Sequence, residues 1–96
     1  MSRTEHYVSR ADGLIYYSKT GQGPPLIFLH DAGSGGWNWG NLIDRFAEHF
    51  TCYNIDLPGF DHSDIPPRQY SVDDFTQAIV DVLDSVEITQ TYCVGN

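Results

Sequence analysis

Residues 26–36 read LIFLHDAGSGG, an apolar run followed directly by a glycine-rich turn. Residues 26–29 are apolar without alternation, which is typical of a parallel strand buried on both faces. The glycines let several backbone N–H groups point toward one spot, and the start of a helix adds positive potential there. Such a turn can hold a phosphate or a developing oxyanion. The local sequence leaves equally open that the glycines only make a tight strand-to-helix turn.

The segments on either side alternate between strand and helix patterns. In chain order they are two short strands around Asp12-Gly13 (6–10 and 14–18), the apolar run at 26–29, a helix from about 37 to 48, a strand at 52–56, a loop at 57–69, a helix that begins after Ser71 and a strand at 91–94. An Asp-Gly step between two strands is a strong hairpin signal because the turn needs positive φ. Strands alternating with helices indicate an α/β fold with a parallel sheet and right-handed crossovers.

The second helix carries the clearest local signals. Ser71 is expected to cap it, and Asp74, three positions later, to complete a capping box. Its apolar residues recur at helical spacing and are expected to face the core: Val72, Phe75, Ile79, Val80, Leu83 and Val86. The final strand has no helix after it within the chain, so one sheet edge is expected to be unpaired and the fold to be truncated.

Composition and charge limit the classes of function. A chain of 96 residues fits one small domain, and 41% hydrophobic residues suffice for a core. Lys plus Arg number 5 against 13 Asp plus Glu, and the net charge of −8 argues against nucleic acid or an anionic membrane as the main partner. No apolar run follows the N-terminus as in a signal peptide. A cytoplasmic protein is therefore expected, with Cys52 and Cys93 reduced and buried in strands.

A second polar segment, residues 56–64, reads DLPGFDHSD and follows the strand at 52–56. Asp56 is expected to accept hydrogen bonds from nearby backbone, and Ser63 and Asp64 to cap the loop. His62 is expected to be exposed. A His and several acids lie in this segment, but their spacing matches no metal-ligand pattern, so the sequence predicts no metal and no cofactor.

Together with the C-terminal YCVGN of residues 92–96, these segments resemble the α/β-hydrolase family in order and spacing, from about Tyr7 to Asn96. The resemblance implies a partial α/β-hydrolase fold, in which 1–96 form the incomplete N-terminal part of one domain. The expected architecture is an N-terminal hairpin plus three parallel strands, with the strand at 26–29 between those at 52–56 and 91–94. The two helices are expected on opposite faces of this sheet.

The resemblance also implies the site. The backbone N–H of Ala32 would be one oxyanion-hole donor, on an oxyanion loop formed by His30, Asp31 and Gly33. Gly95 and Asn96 would begin the nucleophile elbow, with a Ser at the next position and the triad acid and His later still. No catalytic residue is then present, and the 96-residue chain alone is expected to be inactive. Its partners would be the missing C-terminal half of the fold and, for the parent protein, a small-molecule substrate.

Particular residue types narrow the subclass. Ala32 stands where haloalkane dehalogenases of this fold usually have Asn, and Gly33 where epoxide hydrolases usually have Pro. This disfavours both Asp-nucleophile classes without excluding them, and favours Ser-type hydrolysis of ester, lactone, amide or carbon–carbon bonds. Asp31 and Asp61 stand where the family commonly has Gly, so either would be strained if its position requires φ > 0.

Two other interpretations remain. A Rossmann-like nucleotide-binding module also has a glycine-rich turn after a strand, and Asp56 lies 20 residues after Gly36. However, Asn38 stands where that motif needs a third Gly or Ala, and the module does not explain residues 56–60. The second alternative is a non-enzymatic, truncated interaction module that binds a partner along the edge at 91–94.

Overall fold

The computed structural model describes residues 2–31 and 33–95 of the chain. Its sheet has five strands in the order β1-β2-β4-β3-β5. The elements are β1 (Arg3–Arg10), β2 (Gly13–Gly21), β3 (Pro25–Leu29), a 3₁₀ helix (Gly36–Trp39), α1 (Leu42–Phe46), β4 (Thr51–Ile55), α2 (Val72–Ser85) and β5 (Tyr92–Gly95). Ala32 and Asn96, both named above as site residues, lie outside the described residues.

The N-terminal hairpin forms where the Asp-Gly step predicted it. Arg10 and Gly13 are Cα partners at its closed end, so Ala11 and Asp12 make a two-residue turn. Gly13 has a φ of 123°, which a residue with a Cβ rarely adopts. Both strands are longer than the sequence pattern indicated, because pairing continues to Arg3 and Thr20.

The central part of the sheet has the predicted order. β3 pairs in parallel with β4 on one side and with β5 on the other. β2 pairs antiparallel with β4, which joins the hairpin to the parallel strands. Within the described part of the chain β5 pairs with β3 alone, so it forms an edge of the sheet.

The two helices cover opposite faces, as predicted. On β3, Ile27 packs in a cluster with Val82 of α2, whereas Leu26 and Phe28 pack with Ile43 of α1. Successive residues of a strand point to opposite faces, so one unbroken apolar run serves both helices.

The helix predicted from about 37 to 48 is interrupted. A 3₁₀ turn at Gly36–Trp39 and the short α1 are separated at Gly40, whose φ is 54°. Trp37 in the 3₁₀ turn is 67% exposed, whereas Trp39 of the same turn packs edge-to-face against Phe28 in the core.

The second helix has the predicted capping box, and Ile79, Leu83 and Val86 of the predicted stripe pack against the core. The Ser71 hydroxyl accepts from the N–H of Asp74, whose carboxylate accepts from the N–H of Ser71. Its buried residues are Ala78 and Val82, each 1% exposed. Val72 and Val80 are exposed, contrary to the prediction, because Val72 lies in the first turn and Val80 beside the sheet-facing side.

One cysteine also departs from expectation. Cys52 on β4 is buried, but Cys93 is exposed because it lies on the edge strand β5. None of the helices within 2–31 and 33–95 is long and apolar enough to cross a membrane.

Candidate active site

His30 follows β3 at the carboxyl end of the parallel strands and is 4% exposed. Its Nδ1 lies 2.8 Å from the carbonyl oxygen of Asp31, and its Nε2 lies 2.9 Å from the backbone nitrogen of Leu57. A backbone N–H can only donate, so Nε2 is the acceptor and Nδ1 carries the hydrogen. His30 is therefore a neutral imidazole that holds its own loop against the loop after β4.

The loop after His30 is held by a second short-range contact. The Ser34 hydroxyl donates to the Asp31 carboxylate at 2.6 Å, and the Ser34 N–H donates to the Asp31 carbonyl at 3.3 Å. Gly33 between them has a φ of 94°. Of the two Asp residues that replace Gly in the family pattern, only Asp61 has positive φ, at 46°, and Asp tolerates this conformation better than most residues.

The Asp56 carboxylate joins the glycine-rich turn to the segment after β4. It is 2% exposed, and its Oδ1 accepts from the Gly36 N–H at 2.9 Å. Its Oδ2 accepts from the His62 N–H at 3.1 Å and lies 3.0 Å from His62 Nδ1. The sequence predicted backbone hydrogen bonds for Asp56, but not that one of them comes from a residue 20 positions earlier.

Gly36 must be a glycine for this contact to form. A Cβ at Gly36 would lie 2.6 Å from Asp56 Oδ1 and 2.8 Å from Asn54 Oδ1. The side-chain amide of Asn54 donates to the Gly36 carbonyl at 2.9 Å. The backbone of the turn therefore lies directly against polar groups at the end of β4.

Ser63 and Asp64 attach the same segment to β2. The Ser63 hydroxyl donates to the Asp56 carbonyl and accepts from the Tyr16 N–H at 2.9 Å. The Asp64 carboxylate accepts from the Leu14 N–H at 2.9 Å. We predicted that both residues cap their own loop. Their partners on β2 lie about 50 residues earlier in the chain and were not predicted, because nothing in the local sequence indicates such contacts.

Gly95, at the end of β5, lies beside the start of the glycine-rich turn. It is the Cα partner of Leu29, the residue immediately before His30. The carboxyl ends of β3 and β5 therefore lie side by side. In open α/β folds, ligands bind at the carboxyl ends of the strands. The predicted oxyanion donor, Ala32, and the predicted elbow residue Asn96 lie outside the described residues.

Comparison with known proteins agrees with this architecture. A sequence profile of the α/β hydrolase fold matches residues 24–96, and the chain belongs to this family.

Two relatives and one solved structure illustrate the likeness. Over 49 residues (51% of this chain, 19% of the relative) it is 39% identical to a pimeloyl-[acyl-carrier protein] methyl ester esterase of Vibrio vulnificus. Over 94 residues (98% of this chain, 26% of the relative) the chain is 30% identical to an uncharacterised protein of Mycobacterium bovis. The haloalkane dehalogenase DbeA of Bradyrhizobium elkani superposes with a TM-score of 0.93 at 24% identity, covering 99% of this chain and 33% of that one. The chain thus spans between 19% and 33% of the lengths of these proteins.

Proposed function

We propose that this chain is the N-terminal part of a hydrolase that cleaves carboxylic esters with a Ser nucleophile placed directly after Asn96. In this mechanism the Ser hydroxyl gives its proton to the triad His while Oγ attacks the ester carbonyl carbon, and the oxyanion that develops accepts a hydrogen bond from the Ala32 N–H. The C–O bond to the alcohol then breaks, and the alcohol leaves with the proton from the His. A second N–H, from the residue after the nucleophile, completes the hole.

The observation that carries the proposal is the pairing of Leu29 with Gly95. This register brings the end of β5 beside the loop that begins at His30, which is the arrangement that a nucleophile elbow and an oxyanion loop require. The buried contacts of His30 and Asp56 fix that loop from the side of β4. Fixed donors stabilise a developing charge without having to reorganise during the reaction.

The choice of ester chemistry rests on the relative with 39% identity, which is a methyl ester esterase. The likeness to the dehalogenase is 24% in sequence and supports the fold alone. Ala32 and Gly33 also stand where the Asp-nucleophile classes usually have other residues, which favours Ser. We propose an ester-containing small molecule as the substrate, on the family resemblance alone, and regard lactone, amide and carbon–carbon bond cleavage as less favoured.

The 96-residue chain alone is proposed to be inactive. Its nucleophile, triad acid and triad His would all lie past Asn96, as would the second oxyanion donor. Loss of a single donor lowers kcat by about 10²–10³, and loss of a triad residue lowers it further.

The first test is the reading frame beyond codon 96. We expect it to continue with Ser-x-Gly, and the extended protein to hydrolyse p-nitrophenyl butyrate. Replacement of that Ser by Ala should abolish turnover, whereas the chain of residues 1–96 should show none above buffer. An extended protein whose activity survives loss of the Ser would refute the Ser mechanism.

The oxyanion donor is tested in the same extended protein. Ala32→Pro removes the backbone N–H and should lower kcat by about 10²–10³, with little change in KM. Ala32→Gly keeps the N–H and serves as the matched control. Equal kcat values for the two variants would remove Ala32 from the oxyanion hole.

One observation favours a second candidate, a non-enzymatic interaction module. The edge strand β5 exposes Tyr92 and Cys93 and, within residues 2–31 and 33–95, pairs on one side only. An added strand from a partner could pair with this edge. A stop codon directly after codon 96, together with a chain that binds a partner through β5, would favour this candidate over the enzyme.

A further inference from the structure

Asp31 is the acidic residue of the glycine-rich turn, and it directly precedes Ala32, whose N–H we assign to the oxyanion hole. Because the two residues are covalently joined, the Asp31 carboxylate stays near that N–H in every rotamer. Asp side chains readily accept hydrogen bonds from nearby backbone N–H groups, and a carboxylate repels a second negative charge. A free Asp31 carboxylate would therefore compete with the oxyanion for its donor and oppose the charge that develops there.

In the structure this carboxylate is bound by Ser34. The Ser34 hydroxyl donates to Asp31 Oδ1 at 2.6 Å. A hydroxyl that donates to a carboxylate at this distance forms a charge-assisted hydrogen bond, which is stronger than one between neutral groups. The contact both fixes the direction of the carboxylate and occupies part of its capacity to accept hydrogen bonds.

Ser34 also helps to hold the backbone of Asp31. The Asp31 carbonyl accepts from the Ser34 N–H at 3.3 Å and from His30 Nδ1 at 2.8 Å. A peptide group is planar and normally trans, so the direction of its carbonyl also sets the direction of its N–H. These contacts therefore restrain the peptide group that supplies the proposed donor.

The turn depends on these contacts within itself. Gly33 has a φ of 94°, which lets the chain return from Asp31 to Ser34. A Cβ at Gly33 would lie more than 4 Å from every described residue other than its chain neighbours. No described segment packs against the turn at this point, so its shape there is set by the Ser34 contacts.

We propose that Ser34 is a positioning residue for the oxyanion loop. It holds the Asp31 carboxylate away from the Ala32 N–H and leaves that donor free for the oxyanion. Ser34 acts through Asp31 and touches no reacting atom. The family commonly has Gly in place of Asp31, and a Gly needs no such restraint. This role rests on the proposed esterase function, because it concerns the same donor.

The test is the kinetics of p-nitrophenyl butyrate hydrolysis by the extended protein. Ser34→Ala should lower kcat by about tenfold, which is less than the loss of about 10²–10³ expected when a donor is removed outright. KM should change little, because the freed carboxylate opposes the charge of the transition state. Ser34→Thr keeps the hydroxyl and should retain most of the activity. Ser9→Ala removes an exposed hydroxyl on β1 and should leave kcat unchanged.

The decisive variant combines Ser34→Ala with Asp31→Ala, which removes the carboxylate together with its restraint. Its kcat should return close to the wild-type value, and circular dichroism checks that each variant is folded. A double variant as impaired as Ser34→Ala would show that Ser34 only stabilises the turn and would overturn the proposal. An unchanged kcat in Ser34→Ala would do the same.

Failure of this role is distinguishable from failure of the proposed function. An extended wild type that hydrolyses no ester would refute the esterase and, with it, the role of Ser34. An active wild type whose double variant is not rescued would refute the role of Ser34 alone.

Discussion

The Nε2 atom of His30 accepts a hydrogen bond of 2.9 Å from the backbone N–H of Leu57, although the two residues are 27 positions apart. This contact joins the turn after β3 to the segment after β4 at the carboxyl edge of the sheet. The Asp56 carboxylate makes a second connection between the same two segments through the Gly36 N–H. The position of the glycine-rich turn therefore depends on the loop after the neighbouring strand, and not on its glycines alone.

His30→Ala should lower the free energy of unfolding by about 1–3 kcal/mol, because it removes a buried side chain and leaves the partly buried Leu57 N–H without its acceptor. The measurement is the urea midpoint followed by circular dichroism. His49→Ala removes an exposed imidazole and should change stability by less than about 0.5 kcal/mol. If the two variants had equal midpoints, the His30 bridge would have no role in stability.

Gly36→Ala should lower stability by about 1–3 kcal/mol, because the new methyl group overpacks against polar atoms. The Cβ would lie 2.6 Å from Asp56 Oδ1, so either the turn or the carboxylate must move and their hydrogen bond must lengthen. Gly95→Ala is the matched control, since a Cβ there would lie more than 4 Å from every described residue other than its chain neighbours. The comparison uses urea midpoints, and a Gly36→Ala variant as stable as Gly95→Ala would contradict the close approach.

The parts of this fold that were predictable from sequence depend on local chemistry. The Ser71–Asp74 capping box was predicted because both partners lie within four residues, and β3 because its apolar run satisfies both faces of the sheet. The interruption at Gly40 was missed, since an isolated glycine in an amphipathic pattern does not reveal its φ.

Contacts between segments distant in the chain were not predictable in the same way. The Asp56–Gly36 bond depends on β3 and β4 becoming neighbours, and the exposure of Cys93 depends on β5 lying at the sheet edge. In both cases the residue type was compatible with several environments, and tertiary packing determined which one it occupies.

The two cysteines should differ sharply in reactivity. Cys93 is exposed, whereas Cys52 is 1% exposed and burial raises the pKa of its thiol. Burial raises the pKa of the Cys93 thiol as well, so the difference in reactivity follows from the exposure of Cys93 and not from the pKa. A thiol assay with Ellman's reagent should titrate one group per folded chain and two after denaturation. Cys93→Ser should remove the rapid phase and Cys52→Ser should leave it unchanged; rapid labelling of both thiols in the folded wild type would contradict the assignment.

The capping box should make stability depend on pH in the acidic range. The Arg68 guanidinium, which donates to the Asp74 carboxylate at 2.8 Å, and the Ser71 N–H together hold the pKa of Asp74 far below its usual range. A carboxylate whose pKa is lowered on folding stabilises the fold above its unfolded pKa of about 3.9, and this contribution is lost as the pH falls toward the folded value.

Asp74→Asn should therefore be less stable than the wild type at pH 7, and the gap in urea midpoint should narrow progressively below about pH 4. Because the ion pair with Arg68 is exposed, added salt should also reduce the gap. Asp73→Asn tests the specificity of the effect, since Asp73 lies in the same helical turn but has no side-chain partner among residues 2–31 and 33–95. A gap for Asp74→Asn that stays constant between pH 7 and pH 2, or one no larger than that of Asp73→Asn, would show that the carboxylate charge does not stabilise the start of α2.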